Sequence, residues 1–242
     1  MRLITLCFIS STLLFTACST TQDKPDHEHS AIELYQQAKT SLDNGDYETA
    51  INAFETLETR YPFGKYAQQA QLEIAYSYYK FQEPDSAIAT LDRFTRNNPG
   101  NPHLDYAWYL KGLVNYSRGD SITRRLAQTD PADSDTRALR ESFNDFTQLI
   151  KRYPDSKYSA DAKKRLVFLH NNLAQYEIKV AQYYLKRRAW LAAANRARYV
   201  IENYQRTPAV QNALQILVTA YGKMDMPALA ADAQRVLENN KQ

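Results

Sequence analysis

A spacing of 37 residues recurs along this chain and limits what it can fold into. Small residues stand at Ala38, Ala75 and Gly112, and the dipeptide Ala50-Ile51 returns as Ala87-Ile88. Phe54 and Leu91, Leu57 and Phe94, and Pro62 and Pro99 keep the same interval, as do Tyr184 with Tyr221 and Ala193 with Ala230. Within each half-period, apolar residues fall three or four apart, the mark of an amphipathic helix. A fixed period of this size means stacked helix pairs rather than one closed core. Such stacks present extended surfaces, which points to a protein partner before it points to a reaction.

The first pair sets the pattern. Ser30 to Glu33 has the form of a capping box. An apolar face then runs through Ile32, Leu34, Tyr35, Ala38 and Leu42. Asn44-Gly45-Asp46 breaks the helix, and Gly45 suits a left-handed C-terminal position. A second helix carries the chain to Tyr61-Pro62. The small residue in each first helix lets its partner helix approach closely. This arrangement resembles the tetratricopeptide repeat, lengthened from its usual ~34 residues by the connections at 63–65 and 100–102.

Further helices are predicted at 66–82 and 84–97, then from about 103 to 118. An insertion at 121–136 follows, with Pro131 and several Asp and Arg. The helix resumes at 137 and ends at Tyr153-Pro154. The span 159–187 has no Pro or Gly and reads as one long helix, and 190–204, 208–224 and 227–239 complete the series. The expected fold is all-α, a right-handed α-solenoid of five tetratricopeptide-like helix pairs, whose terminal repeat should carry a more polar outer face.

The N-terminus is built differently. Arg2 precedes a mostly apolar run from Leu3 to Phe15, too short to span a bilayer, which takes about 20 residues, and suited to a secretory signal peptide. Leu14-Phe15-Thr16-Ala17-Cys18 resembles a bacterial lipobox, with Phe15 where an aliphatic residue is usual. The expected organisation is a signal peptide at 1–17, a lipidated Cys18 with a flexible tether at 18–30, and the repeat domain at 31–242. The N-terminal repeats occupy 31–102 and the C-terminal repeats 103–242. Ser19, rather than Asp, after Cys18 favours transport to the outer membrane. Cys7 lies in the removed segment, so no thiol remains for a disulfide, a metal or catalysis. The sequence His27-Glu28-His29 reads as solvated tether rather than a metal site.

Charge is unevenly placed. Residues 18–105 hold 7 Lys/Arg against 14 Asp/Glu, and residues 106–242 hold 22 against 13. Basic residues gather at Lys163-Lys164-Arg165, Lys186-Arg187-Arg188, and Arg196 with Arg198. The basic half is either a solvated face or a docking surface for an acidic partner. A lipid-anchored domain outside the cytoplasm rarely meets nucleic acid, which is not expected as a partner. No catalytic set, cofactor loop or metal-ligand cluster stands out, so the chain reads as a binding protein rather than an enzyme. The 18 tyrosines read mainly as packing residues whose hydroxyls reach water.

Several strings resemble the BamD (ComL) family of outer-membrane assembly lipoproteins. They are Arg60-Tyr61-Pro62-Phe63-Gly64-x-Tyr66 with Gln69 and Gln71-Leu72, then Ala75-Tyr76-x-Tyr78-Tyr79-Lys80 and Asp92-Arg93-Phe94. Lys164-Arg165-Leu166-Val167-Phe168-Leu169, Ala181-x-Tyr183-Tyr184 and Ala189-Trp190-x-Ala192-x-x-Asn195-Arg196 follow in order. The resemblance implies a non-enzymatic scaffold of the β-barrel assembly machinery, anchored by lipid to the periplasmic side of the outer membrane. It implies that the C-terminal repeats bind a POTRA domain of the barrel-forming subunit BamA, through Arg196 with Asn195 and Arg198 beside it. Other Bam lipoproteins would bind nearby. It also implies that the N-terminal repeats receive unfolded β-barrel substrates, with Tyr61, Phe63 and Tyr66 as candidate contacts. For Phe63 and Tyr66, packing of the turn between repeats is the favoured reading over substrate contact. The competing reading is a repeat adaptor lipoprotein serving a secretin, a pilus or the cell wall.

Overall fold

In a computed structural model, residues 31–119 and 136–240 are described. They form ten helices: α1 (Ala31–Asp43), α2 (Tyr47–Arg60), α3 (Lys65–Lys80), α4 (Pro84–Asn97), α5 (Leu104–Gly119), α6 (Arg137–Arg152), α7 (Ser159–Lys186), α8 (Trp190–Asn203), α9 (Ala209–Lys223) and α10 (Pro227–Asn239). Consecutive helices pack on one another from α1 to α10, with α7 also reaching α9. The described chain is all-α and stacks as a helical solenoid of tetratricopeptide-like pairs. The signal peptide, Cys18, the tether with Ser30, and nearly all of the 121–136 insertion lie outside the described residues. No described helix is long and apolar enough to cross a membrane.

Local chemistry explains the breaks. Gly45 ends α1 at φ +79°, where a side chain would be strained. Asp46 then caps α2, its carboxylate accepting from the Thr49 N–H at 3.2 Å. Pro84 and Pro227 sit in the first turns of α4 and α10, where no backbone donor is missed. The span from 159 holds as one 28-residue helix, α7.

The recurring small residues are contact points between paired helices. Ala38, Ala75, Ala50 and Ala87 are fully buried. At Gly112 an added Cβ would lie 2.4 Å from the Phe146 ring, so the glycine is required by close approach rather than by backbone conformation. Across the insertion the fixed period is interrupted, but the packing pattern is kept. Ser142, Phe146 and Leu149 of α6 repeat the spacing and burial of Ala87, Leu91 and Phe94 in α4. The Ser142 hydroxyl donates to the Gly112 carbonyl at 2.8 Å, so a serine fills an alanine place without an unpaired polar atom.

The cores follow one another along the stack. Leu34, Ala38, Phe54, Leu57 and Ile74 centre the first. Leu91, Phe94, Leu110 and Val114 belong to the second, Phe146, Leu149 and Leu169 to the third, and Ile178, Ala197, Val200 and Leu217 to the last. Between the second and third repeats runs a polar seam. Lys111 pairs with Asp92 at 2.8 Å and Asp145 at 3.4 Å, and Asn115 donates to Asp145 at 2.9 Å. Tyrosines do pack as expected: Tyr158 stacks on Tyr109 with ring centroids 4.7 Å apart and lies tilted against Tyr106 at 5.5 Å.

The C-terminal end carries the polar outer face expected of a terminal repeat. Helix α10 buries Ala233 and Leu237, and Arg235 lies on the opposite side with Asp232 and Glu238 beside it, all three exposed. Leu229 and Val236, each more than 40% exposed, border the buried stripe, and Met226 precedes the helix.

Candidate functional site

The basic C-terminal half is organised around one buried carboxylate. Glu177 lies on α7 within the apolar set Leu173, Ala174, Ile178 and Ala181, and its side chain is 1% exposed. Arg140 of α6 donates through Nη2 to Glu177 Oε1 at 3.0 Å. Arg196 of α8 donates through Nη1 to Oε2, also at 3.0 Å. One acid therefore ties three helices together, with each oxygen taken by a different arginine. Both arginine side chains remain nearly half exposed.

The three residues expected at a partner contact divide here. Ala193, Ala194, Ala197 and Val200 bury one side of α8. Asn195 and Arg198 lie on its outer side, where Arg198 donates to Asn195 Oδ1 at 3.3 Å and pairs loosely with Glu202 at 3.6 Å. Leu191 and Tyr199 are exposed on the same side. Arg196, one residue on and about 100° further round the helix, turns to Glu177 instead. Sequence reasoning named Arg196 and missed both Arg140 and Glu177. The available signal was a lone acid on the apolar stripe of α7 inside a strongly basic half. Elsewhere in that half, Arg165 of the 163–165 cluster is engaged by Asp161 at 2.6 Å and lies over the Tyr116 ring.

At the N-terminal end, the Tyr61–Tyr66 string is a turn between α2 and α3. Tyr61 closes α2, its N–H donating to the Leu57 carbonyl at 2.8 Å, and its side chain packs on the first core. Tyr66 packs against Tyr35 with ring centroids 5.6 Å apart, and Lys65 lies over its ring at 5.0 Å. Phe63 does not pack the turn. Its side chain is 92% exposed, because the chain reverses through Gly64 at φ +108° and leaves residue 63 on the outside of the bend. Of the three candidate contacts, two are core residues with one accessible edge and the third is an apolar side chain in solvent.

The first helices of repeats one to three also line a cavity of about 440 Å³, bordered by Lys39, Asp43, Tyr47, Glu73, Tyr76 and Lys80. Lys39 pairs with Asp43 at 2.7 Å, and the Tyr35 hydroxyl donates to Glu73 at 3.2 Å. Burial raises the Glu73 carboxyl above its ordinary 4.5, against the opposing pull of Lys39 and the Tyr35 hydrogen bond. A carboxyl raised by folding holds its proton more readily in the folded chain. Its contribution favours folding at low pH and is lost as pH rises through the folded pKa. Glu73→Gln is therefore expected to flatten the decline of stability with pH above about 4.5, measured by urea unfolding at stepped pH. An unchanged slope would contradict this account of the cavity.

Comparison with known proteins places this architecture among named relatives. The family model described as "Outer membrane lipoprotein", YfiO, matches residues 27–237. The chain is 45% identical over 237 residues to the outer membrane protein assembly factor BamD of Neisseria meningitidis serogroup B, covering 96% of this chain and 89% of that one. It is 35% identical to the same factor of Vibrio cholerae, covering 96% and 95%, and 33% identical to that of Haemophilus influenzae, covering 99% and 91%.

Proposed function

The chain belongs to the YfiO family of outer membrane lipoproteins, and from that premise we propose how its surfaces are used. It acts as an outer membrane protein assembly factor, a component of the Bam complex that works by binding rather than by turnover. The observation that carries this reading is 45% identity sustained across 96% of the chain. The relatives' shared role does not favour the alternative of a secretin, pilus or wall adaptor.

Within that role, the C-terminal repeats dock on a POTRA domain of BamA. The basic excess of residues 106–242 and the half-exposed Arg196 support this, since an acidic partner would be steered to such a face. The N-terminal repeats receive unfolded β-barrel substrates, and the exposed Phe63 supplies an apolar contact at their edge. The periplasmic side of the outer membrane is the site of action, with the domain held by lipid on Cys18. Two or more chains are needed for stable anchoring, and a lipidated N-terminal cysteine supplies them.

Lowering the amount of this chain in cells is expected to reduce assembled β-barrel proteins in the outer membrane, read by heat-modifiable mobility of the barrels. Normal barrel levels after depletion would reject the assembly role. Cys18→Ser is expected to move the chain from the membrane pellet to the soluble fraction on cell fractionation. Full retention in the pellet would mean that partners, rather than lipid, hold it there.

A further inference from the structure

Neutrality of the buried Glu177 would need one arginine, yet two are drawn to it. Arg140 and Arg196 each give it one nitrogen at 3.0 Å, and neither makes another ion pair among the described residues. The cluster carries one positive charge in excess. A guanidinium presents five N–H donors in a rigid fork, so both groups keep unused donors on their exposed edges. They project from α6 and α8, helices of adjacent repeats, and the two oxygens of one carboxylate hold them side by side. An isolated structural counter-ion has no need of this paired, outward-facing cation. A carboxylate arriving from outside would complete an alternation of acid, two arginines and acid.

We propose that Glu177 is the positioning residue of a two-arginine docking element, fixing Arg140 and Arg196 so that their outer edges together receive a carboxylate of an acidic partner segment. The inference rests on the docking role proposed above and adds Arg140 and Glu177 to it. The buried acid keeps both forks oriented, so less side-chain freedom is lost on binding. It also makes binding depend on geometry as well as on charge.

That dependence gives a test by sign. The tagged full-length chain is taken from detergent-solubilised membranes, and the affinity of its POTRA-bearing barrel subunit is measured for each variant. Glu177→Gln adds one net positive charge, so long-range attraction alone would tighten binding to an acidic partner. Positioning predicts the reverse, a weakening of about tenfold. Unchanged or tighter binding by a folded Glu177→Gln chain would overturn the inference. Should circular dichroism show that variant unfolded, Arg140→Lys carries the test. It keeps the charge but loses the fork, and a loss of several-fold is expected, whereas wild-type affinity would overturn the proposal. Failure of the wild-type chain to recover the subunit at all would instead reject the docking role from which the inference starts.

Discussion

Phe146→Ala is expected to lower the stability of the third repeat by about 3–5 kcal/mol, the range for emptying a fully buried aromatic site. Phe146 is 0% exposed and its ring lies directly against Gly112. Gly112→Ala is expected to destabilise as well, by about 1–3 kcal/mol, because its new methyl would enter the space of that ring. The informative quantity is their combination. With Phe146 removed, the Gly112 methyl enters a cavity rather than a filled core. The double variant should therefore be more stable than the sum of the two losses implies, a coupling that a double-mutant cycle measures directly. Simple additivity in urea unfolding would mean that α5 and α6 do not meet as described. Because each repeat touches only its neighbours, the losses should fall on the unfolding transition that includes α5 to α7.

Arg196→Glu carries the second large effect, and it acts on two properties at once. The substitution places a new carboxylate beside Glu177, whose side chain is 1% exposed. Removing one partner of a buried charge costs about 3–5 kcal/mol, and the lower end applies here because Arg196 is nearly half exposed and Arg140 remains. Thermal unfolding should therefore shift downward along with the loss of binding. Arg196→Gln is the cleaner comparison, since it removes the charge at the surface without bringing a second acid to Glu177. If Arg196→Glu leaves both the melting temperature and partner recovery at wild-type values, the Glu177 clamp and the docking face are both wrong. Loss of recovery in Arg196→Gln with little change in melting would separate binding from stability.

The helix pairs were legible in sequence because their signals are local. Apolar residues three or four apart, small residues at fixed places and Gly45-Asp46 at a break all act within one or two turns of chain, and the 37-residue period repeats them. The third repeat was harder, since the insertion shifts α6 and hides the correspondence of Ser142, Phe146 and Leu149 to Ala87, Leu91 and Phe94. The spacing within that trio was preserved, so the signal existed once the fixed period was relaxed. Arg196 was reachable through its family string. Its environment was not, because the meeting of Arg140, Glu177 and Arg196 depends on how three helices are rotated about their axes. Phe63 shows the opposite error. An aromatic residue in a tight turn suggests packing, and only the path of the chain through Gly64 reveals that it faces water.

As an outer membrane protein assembly factor, this chain should carry the β-barrel assembly complex with it. The decisive measurement is recovery of a C-terminally tagged, full-length chain from detergent-solubilised membranes, with mass spectrometry of what comes with it. A large barrel protein bearing POTRA domains should be the dominant partner. Recovery of secretin, pilus or cell-wall components in its absence would contradict the account.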